Sequence, residues 1–95
     1  ATKAAISNLV RSIAKEEADQ GIFINAISPG PVEIDDSDFD MKYREFRKNY
    51  YQKQIEQIPL KSFVHFEDIY HTIEFLLFKN NYITGEEIFL TGGAL

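Results

Sequence analysis

Ile22 to Ser28 is a nearly continuous apolar run with three isoleucines, and Pro29-Gly30-Pro31 closes it. A strand with one wet face alternates apolar and polar residues. A run without that alternation is a strand covered on both faces, as in a parallel sheet between layers of helix. Proline has no N–H to give a ladder and glycine tolerates unusual backbone angles, so the strand is expected to stop there. A chain that holds such a strand must also supply helices to cover it. From Thr2 to about Asp19, Ile6, Leu9, Val10, Ile13 and Ala14 follow the spacing of one buried helical stripe, with Arg11, Lys15, Glu16 and Asp19 largely off it. Gly21 follows as a stop suited to a left-handed turn.

Beyond the strand, Ile34 to Phe39 is rich in Asp and has no period, which predicts a loop. Met41 to about Gln57 predicts a helix on which Tyr43, Phe46 and Tyr50 share a face, with Ile55 and Ile58 continuing the apolar trend. Ile58-Pro59-Leu60 should break it, and Lys61 to His65 should be a further loop. A third helix carries the stripe Ile69, Ile73, Leu76 and Leu77, with Glu67 and Asp68 in the first turn, where the helix dipole favours anions. Asn80-Asn81 and Gly85 punctuate, and Glu87 to Leu90 predicts a short strand ending at Thr91-Gly92-Gly93. The order helix-strand-helix-helix-strand suggests two parallel strands joined by a right-handed crossover. There is no internal repeat, low-complexity tract or interdomain linker.

Ninety-five residues make at most one small domain, burying roughly 60–65% of its unfolded surface. A hydrophobic share of 44% suffices for a core and argues against disorder. The net charge of −5 argues against a nucleic-acid partner, whose binding surfaces are basic. With no cysteine there is no disulfide framework and no thiolate metal site. No apolar run approaches the roughly 18 residues of a membrane span, and the amino end has no signal pattern. The expectation is a soluble cytoplasmic protein with no membrane and no nucleic-acid partner. His65 and His71 stand six apart, whereas helical metal pairs sit three or four apart, so no metal is expected. Lys42, Arg44, Arg47, Lys48 and Lys53 suit either a solvated helix face or a surface for an anionic substrate or carrier protein. Tyr43, Tyr50 and Tyr51 suit either a substrate pocket or a core or subunit contact.

Ala1-Thr2-Lys3-Ala4-Ala5, then Leu9 and Arg11-Ser12-Ile13-Ala14-Lys15-Glu16, resembles the Tyr-x-x-x-Lys helix of short-chain dehydrogenases/reductases. Asn25-Ala26-Ile27-Ser28-Pro29-Gly30-Pro31-Val32 resembles that family's sixth strand and the loop after it. Ile58-Pro59-Leu60, Glu67-Asp68-Ile69, Phe75-Leu76 and Tyr82-Ile83-Thr84-Gly85-Glu86 match its closing segment in order and spacing. The matches span nearly the whole chain, and Ile34 to Gln57, the variable substrate loop and helix, match least. The resemblance implies an α/β fold that is the C-terminal part of a Rossmann-type doubly wound parallel sheet. Residues 1–95 would be the C-terminal segment of a single NAD(P)-binding Rossmann-like domain, with the N-terminal dinucleotide-binding half absent.

The resemblance also implies roles. In the family the lysine matching Lys3 binds the nicotinamide ribose hydroxyls. Its charge also lowers the pKa of a tyrosine four residues earlier, so that the phenol can exchange a proton near neutral pH. That tyrosine would fall two residues upstream of Ala1. No tyrosine of this chain has Lys four residues later, and no G-x-x-x-G-x-G turn is present. Pro29 and Gly30 would shape the nicotinamide pocket, and the backbone of Val32 would bond the carboxamide. Two positions depart from the pattern. Ile34 replaces a threonine whose hydroxyl contacts the cofactor, a loss of about 0.5–1.5 kcal/mol for one neutral hydrogen bond. Thr91 replaces the Asp of the usual Asp-Gly-Gly ending.

The implied function is part of an NAD(P)-dependent oxidoreductase that interconverts a carbonyl and an alcohol, with NAD or NADP as cofactor. Tyr50 to Leu60 and the closing helix look most similar to 3-oxoacyl-[acyl-carrier-protein] reductases, with a sugar-derived or small alcohol as the competing substrate. The closing helix and strand pack at subunit interfaces in many members, so a homo-oligomer, dimer or tetramer, is implied. The chain alone is expected to be inactive. The alternative is a non-catalytic fragment or pseudoenzyme acting as an oligomerisation or binding module. In the family the free edge of Ile22–Ser28 pairs with the strand before the Tyr helix, so these residues alone are expected to be unstable, to swap or to self-associate.

Overall fold

A computed structural model of the chain describes residues 2–32 and 41–94, the side chains of residues 41–44 excepted. Its elements are α1 (Lys3–Glu17), β1 (Ala26–Pro29), α2 (Met41–Glu56), α3 (Phe66–Phe78) and β2 (Glu87–Leu90). The order is the expected one. β1 and β2 pair in parallel, from Ala26 opposite Glu87 to Pro29 opposite Leu90, which makes the fold α/β with part of a Rossmann-type parallel sheet. Ile34 and the loop expected around it lie outside the described residues. Among the described residues no helix is long and apolar enough to cross a membrane.

Thr2 caps α1 by accepting the Ala5 N–H on its hydroxyl at 3.2 Å. The helix ends earlier than its pattern suggests, because the last turn tightens at Ala18–Gln20, and Gly21 then takes the expected left-handed stop at φ 75°. The buried stripe is only partly realised. Ala14 is buried and Val10 half-buried, but Ile6, Leu9 and Ile13 are exposed. Two strands lie about 4.8 Å apart, a platform narrower than the roughly 10 Å width of a helix. The covered part of α1 is the part that meets the turn before β2, where a Cβ on Gly85 would stand 3.3 Å from the Ala14 Cβ.

β1 begins later than expected and runs through Pro29. Residues 22–25 meet the other segment by way of a turn rather than a ladder. The Ile24 N–H donates to the Thr84 hydroxyl at 3.0 Å, and the Gly85 N–H donates to the Ile24 carbonyl at 2.7 Å. The Asn25 amide donates to the Ile83 carbonyl at 2.9 Å and accepts the Glu86 N–H at 3.0 Å. Asn80, buried, templates the same turn by accepting the Tyr82 and Ile83 N–H groups at 3.1 and 2.8 Å. Gly85, at φ 78°, bends this segment out of strand geometry before β2 starts.

From there the ladder is regular. Ala26 donates to the Glu86 carbonyl and Gly30 to the Leu90 carbonyl, both at 2.9 Å. Even-numbered residues of β1 therefore bond to β2, and odd-numbered ones turn their N–H groups to the opposite, open edge. Pro29 lacks a donor only on the side β2 does not use, which is why the strand tolerates it.

α2 docks by a different face from the one its sequence suggested. Phe46 and Tyr50 are exposed, and the Tyr43 side chain lies outside the described residues. The inward row is Arg47, Tyr51 and Ile55, which follow one another at i, i+4. Tyr51 meets the buried Phe63 edge-on with ring centroids 5.3 Å apart, and the Arg47 guanidinium lies over the Tyr51 ring at 5.1 Å. A run of aromatics among charges has no clear apolar stripe, so packing against Phe63 decides the face. Ile58-Pro59-Leu60 ends α2 as expected. α3 starts with Asp68 accepting the His65 N–H at 3.1 Å, a use for the acidic first turn.

Three hydrophobic residues are buried among those described, Ala14, Ile58 and Phe63. The radius of gyration is 16.8 Å, against about 12 Å for a self-contained globule of this length. Most of the cover for the two-stranded sheet must therefore come from elsewhere. The Gly92-Gly93 turn seats the Ile58–Leu60 segment, with the Leu60 N–H donating to the Gly92 carbonyl at 3.1 Å. Gly92 has φ 62°, and a Cβ there would stand 2.8 Å from Ile58 Cγ2. Gly92→Ala is expected to destabilise by about 1–3 kcal/mol through strain and overpacking. A lowered denaturation midpoint beside an unchanged one for Gly30→Ala, whose Cβ would meet nothing nearer than 3.5 Å, checks this.

Candidate functional site

The period of two sorts the side chains of the sheet. Glu87 stands opposite Ala26, and Ser28 shares their face. α1 lies on that face: the Ser7 hydroxyl donates to Glu87 Oε1, while the Ser28 hydroxyl donates to Oε2 at 2.5 Å. On the other face Phe23, Asn25 and Ile27 look across a shallow groove of about 200 Å³ to Ile73, Leu76 and Leu77 of α3.

Ser7 thus stands beside Ser28, and α1 runs antiparallel to β1 after the turn at Gly21. Lys3 lies one helical turn before Ser7, about 6 Å along the axis. Two residues of strand beyond Ser28 cover about the same distance and reach Gly30. This count carries Lys3 toward the carboxyl end of β1. Pro29 is exposed there, and Gly30 is half-buried with its N–H on Leu90. Val32 forms a parallel bridge with Val64, whose N–H donates to the Pro31 carbonyl at 3.2 Å. Ligands of open parallel sheets bind beyond the carboxyl ends of the strands. Pro29 closes β1 at that end, and Gly30 and Val32 follow it in the chain.

Lys3 is exposed, and among the described residues no hydrogen bond or ion pair engages its ammonium. A larger groove of about 460 Å³ opens on the α3 side, lined by Phe63, Asp68, His71, Thr72, Leu90 and Gly92 among others. It includes none of Lys3, Pro29, Gly30 and Val32. Among the described residues no three His, Cys, Asp or Glu side chains gather to hold a metal.

Sequence reasoning missed Glu87. The signal was present: a carboxylate heading a strand that continues Ile88-Phe89-Leu90 needs partners, and Ser7 and Ser28 supply them. The Ser28 hydroxyl, then the Ser7 hydroxyl, hold its carboxyl below the ordinary value of 4.5. Partial desolvation opposes them, and the charge of Lys3 adds to them.

The sequence profile of the family described as Enoyl-(Acyl carrier protein) reductase matches residues 1–94. The chain belongs to the short-chain dehydrogenase/reductase family. It is 39% identical over 94 residues to the 3-oxoacyl-[acyl-carrier-protein] reductase FabG of Staphylococcus epidermidis, covering 98% of this chain and 36% of that protein. It is 34% identical to glucose 1-dehydrogenase 2 of Bacillus subtilis, over 97% of this chain and 34% of that one. A crystal structure of a small-chain dehydrogenase in complex with NADPH superposes with a TM-score of 0.76 at 32% identity, over 96% of this chain and 39% of the other. The chain thus spans about a third of the length of the relatives it matches.

The lowered carboxyl of Glu87 predicts that the fold loses stability in acid. A group whose pKa is lower folded than unfolded stabilises the fold above its unfolded value and loses that contribution as pH falls through the folded value. Thermal midpoints of wild type and Glu87→Gln measured on descending from pH 4.5 should show the steeper loss for wild type, with the variant flatter across the same window.

Proposed function

We propose that the chain supplies the nicotinamide-facing end of an NAD(P)-dependent oxidoreductase that interconverts a carbonyl and an alcohol. What supports this is Lys3, whose ammonium meets no hydrogen-bond or ion-pair partner among the described residues and which lies one turn before Ser7, joined through Glu87 to Ser28 of β1. The donor set fits. An ammonium offers three donors to neighbouring ribose hydroxyls. The nicotinamide, when bound, supplies the hydride chemistry. Lys3 holds the ribose and lends positive charge to a phenol four residues before it in a longer polypeptide. That charge favours the phenolate and brings proton exchange toward neutral pH. Pro29 and Gly30 shape the pocket wall, and the backbone of Val32 bonds the carboxamide.

The reductase name of the Staphylococcus relative favours a 3-oxoacyl group on a carrier protein as substrate, with glucose as the competitor that the Bacillus relative suggests. Exposed Phe66, Tyr70, Leu77 and Phe78 on α3 and Phe89 on β2 support assembly into a dimer or tetramer. The cytoplasm is the proposed location. Residues 1–95 by themselves hold neither the tyrosine nor a Gly-rich turn, so turnover belongs to a longer polypeptide.

The test is reduced-nicotinamide consumption by the full-length protein with 3-oxoacyl thioesters and with sugars, using both NADPH and NADH. Lys3→Gln should lower kcat/KM about 10²-fold or more. A wild type without turnover, or a variant equal to it, would overturn the reading. Calorimetric titration of residues 1–95 alone should show no cofactor binding, and micromolar affinity there would contradict the assignment of activity to the longer chain.

A further inference from the structure

Lys3 and Ser7 are four residues apart on α1, so their side chains leave the helix on one face, one above the other. The Ser7 hydroxyl rests on Glu87, and the longer lysine stem puts its ammonium within reach of the same carboxylate. Its charge is felt there. Yet no ion pair within 4.0 Å joins Lys3 to Glu87. The carboxylate is held from two sides. One oxygen accepts from Ser7 on α1, and the other accepts from Ser28 on β1. Two donors on different elements fix both ends of the group, so its remaining lone pairs point where the serines set them.

We propose that Ser7 and Ser28 form a clamp that withholds the Glu87 carboxylate from Lys3, keeping the ammonium free to hold the ribose hydroxyls of a nicotinamide cofactor. Ser7, Ser28 and Glu87 are then positioning residues that act through Lys3, and the inference rests on the role proposed for Lys3 above. The carboxylate and the ammonium carry opposite charges and attract one another. Released from its serines, the carboxylate would capture the lysine and compete with the cofactor for it. With no carboxylate at all, the lysine stays free. A clamp therefore makes a prediction that a scaffold does not: removing Glu87 repairs the damage done by removing the serines.

The experiment uses the full-length protein. Ser7→Ala/Ser28→Ala should weaken NADPH binding, read by fluorescence titration, by about tenfold, the worth of one hydrogen bond to a charged group. Adding Glu87→Gln to that double variant should bring affinity back to near wild type. A crystal structure of the double variant should show the Lys3 Nζ in contact with the Glu87 carboxylate. If the triple variant binds no better than the double, or if Lys3 and Glu87 stay apart once the serines are gone, the clamp is refuted. Should the double variant fail to fold, Ser7→Ala frees one oxygen on the Lys3 side, and the same two readings apply to it. A wild type that binds neither NADPH nor NADH, together with the new lysine contact in the variant, would refute the role given to Lys3 and leave the clamp standing.

Discussion

Parallel pairing of β1 with β2 brings together residues as far apart as Asn25 and Glu86, separated by 61 positions. Parallel strands cannot be joined by a tight turn, so α2 and α3 form the connection, and the cost of closing so long a loop must be offset where the ends meet. The offset is visible at the start of the ladder. Asn25, Asn80 and Thr84 hold the turn around Gly85 with side-chain hydrogen bonds, and strand geometry begins only after it. Everything at the other end inherits this register. A slip of β2 by one residue would turn Glu87 to the α3 side and separate it from Ser7 and Ser28.

The proposed site sits at the far end of the same ladder. β1 delivers Pro29 and Gly30, and the chain is then fastened beyond β2 by the Val32–Val64 bridge. α1 returns along β1 and places its first residue at that level. Two elements of opposite direction thus meet where a parallel sheet exposes its carboxyl ends, and Glu87 stitches them across both strands. The proposed clamp joins positioning to stability: the carboxylate that ties helix to sheet is the one it keeps from the lysine.

Much of this could be read from the residues. Gly21, the order of elements, the break at Ile58-Pro59-Leu60 and the acidic first turn of α3 follow from local chemistry, and local chemistry is what a sequence displays. Lys3 is singled out only by its neighbours, because an exposed lysine at a helix start is ordinary by itself. What escaped were features decided between segments. The start of β1 depends on Gly85, some sixty residues away, and the face of α2 depends on Phe63. The α1 stripe predicts burial that a two-stranded sheet is too narrow to provide. Glu87 escaped because its partners come from two other elements, and nothing in its own segment names them.

Pro29 has a consequence for the open edge of the sheet. Along β1 the outward N–H groups belong to odd-numbered residues, so an incoming strand finds a donor at Ile27 and none at Pro29. Any strand laid against that side can zip only as far as Ile27 before its next carbonyl meets a pyrrolidine ring. The proline is a terminus written into the edge. It fixes where a neighbouring strand must end, and it keeps added strands from running on toward Gly30 and Lys3.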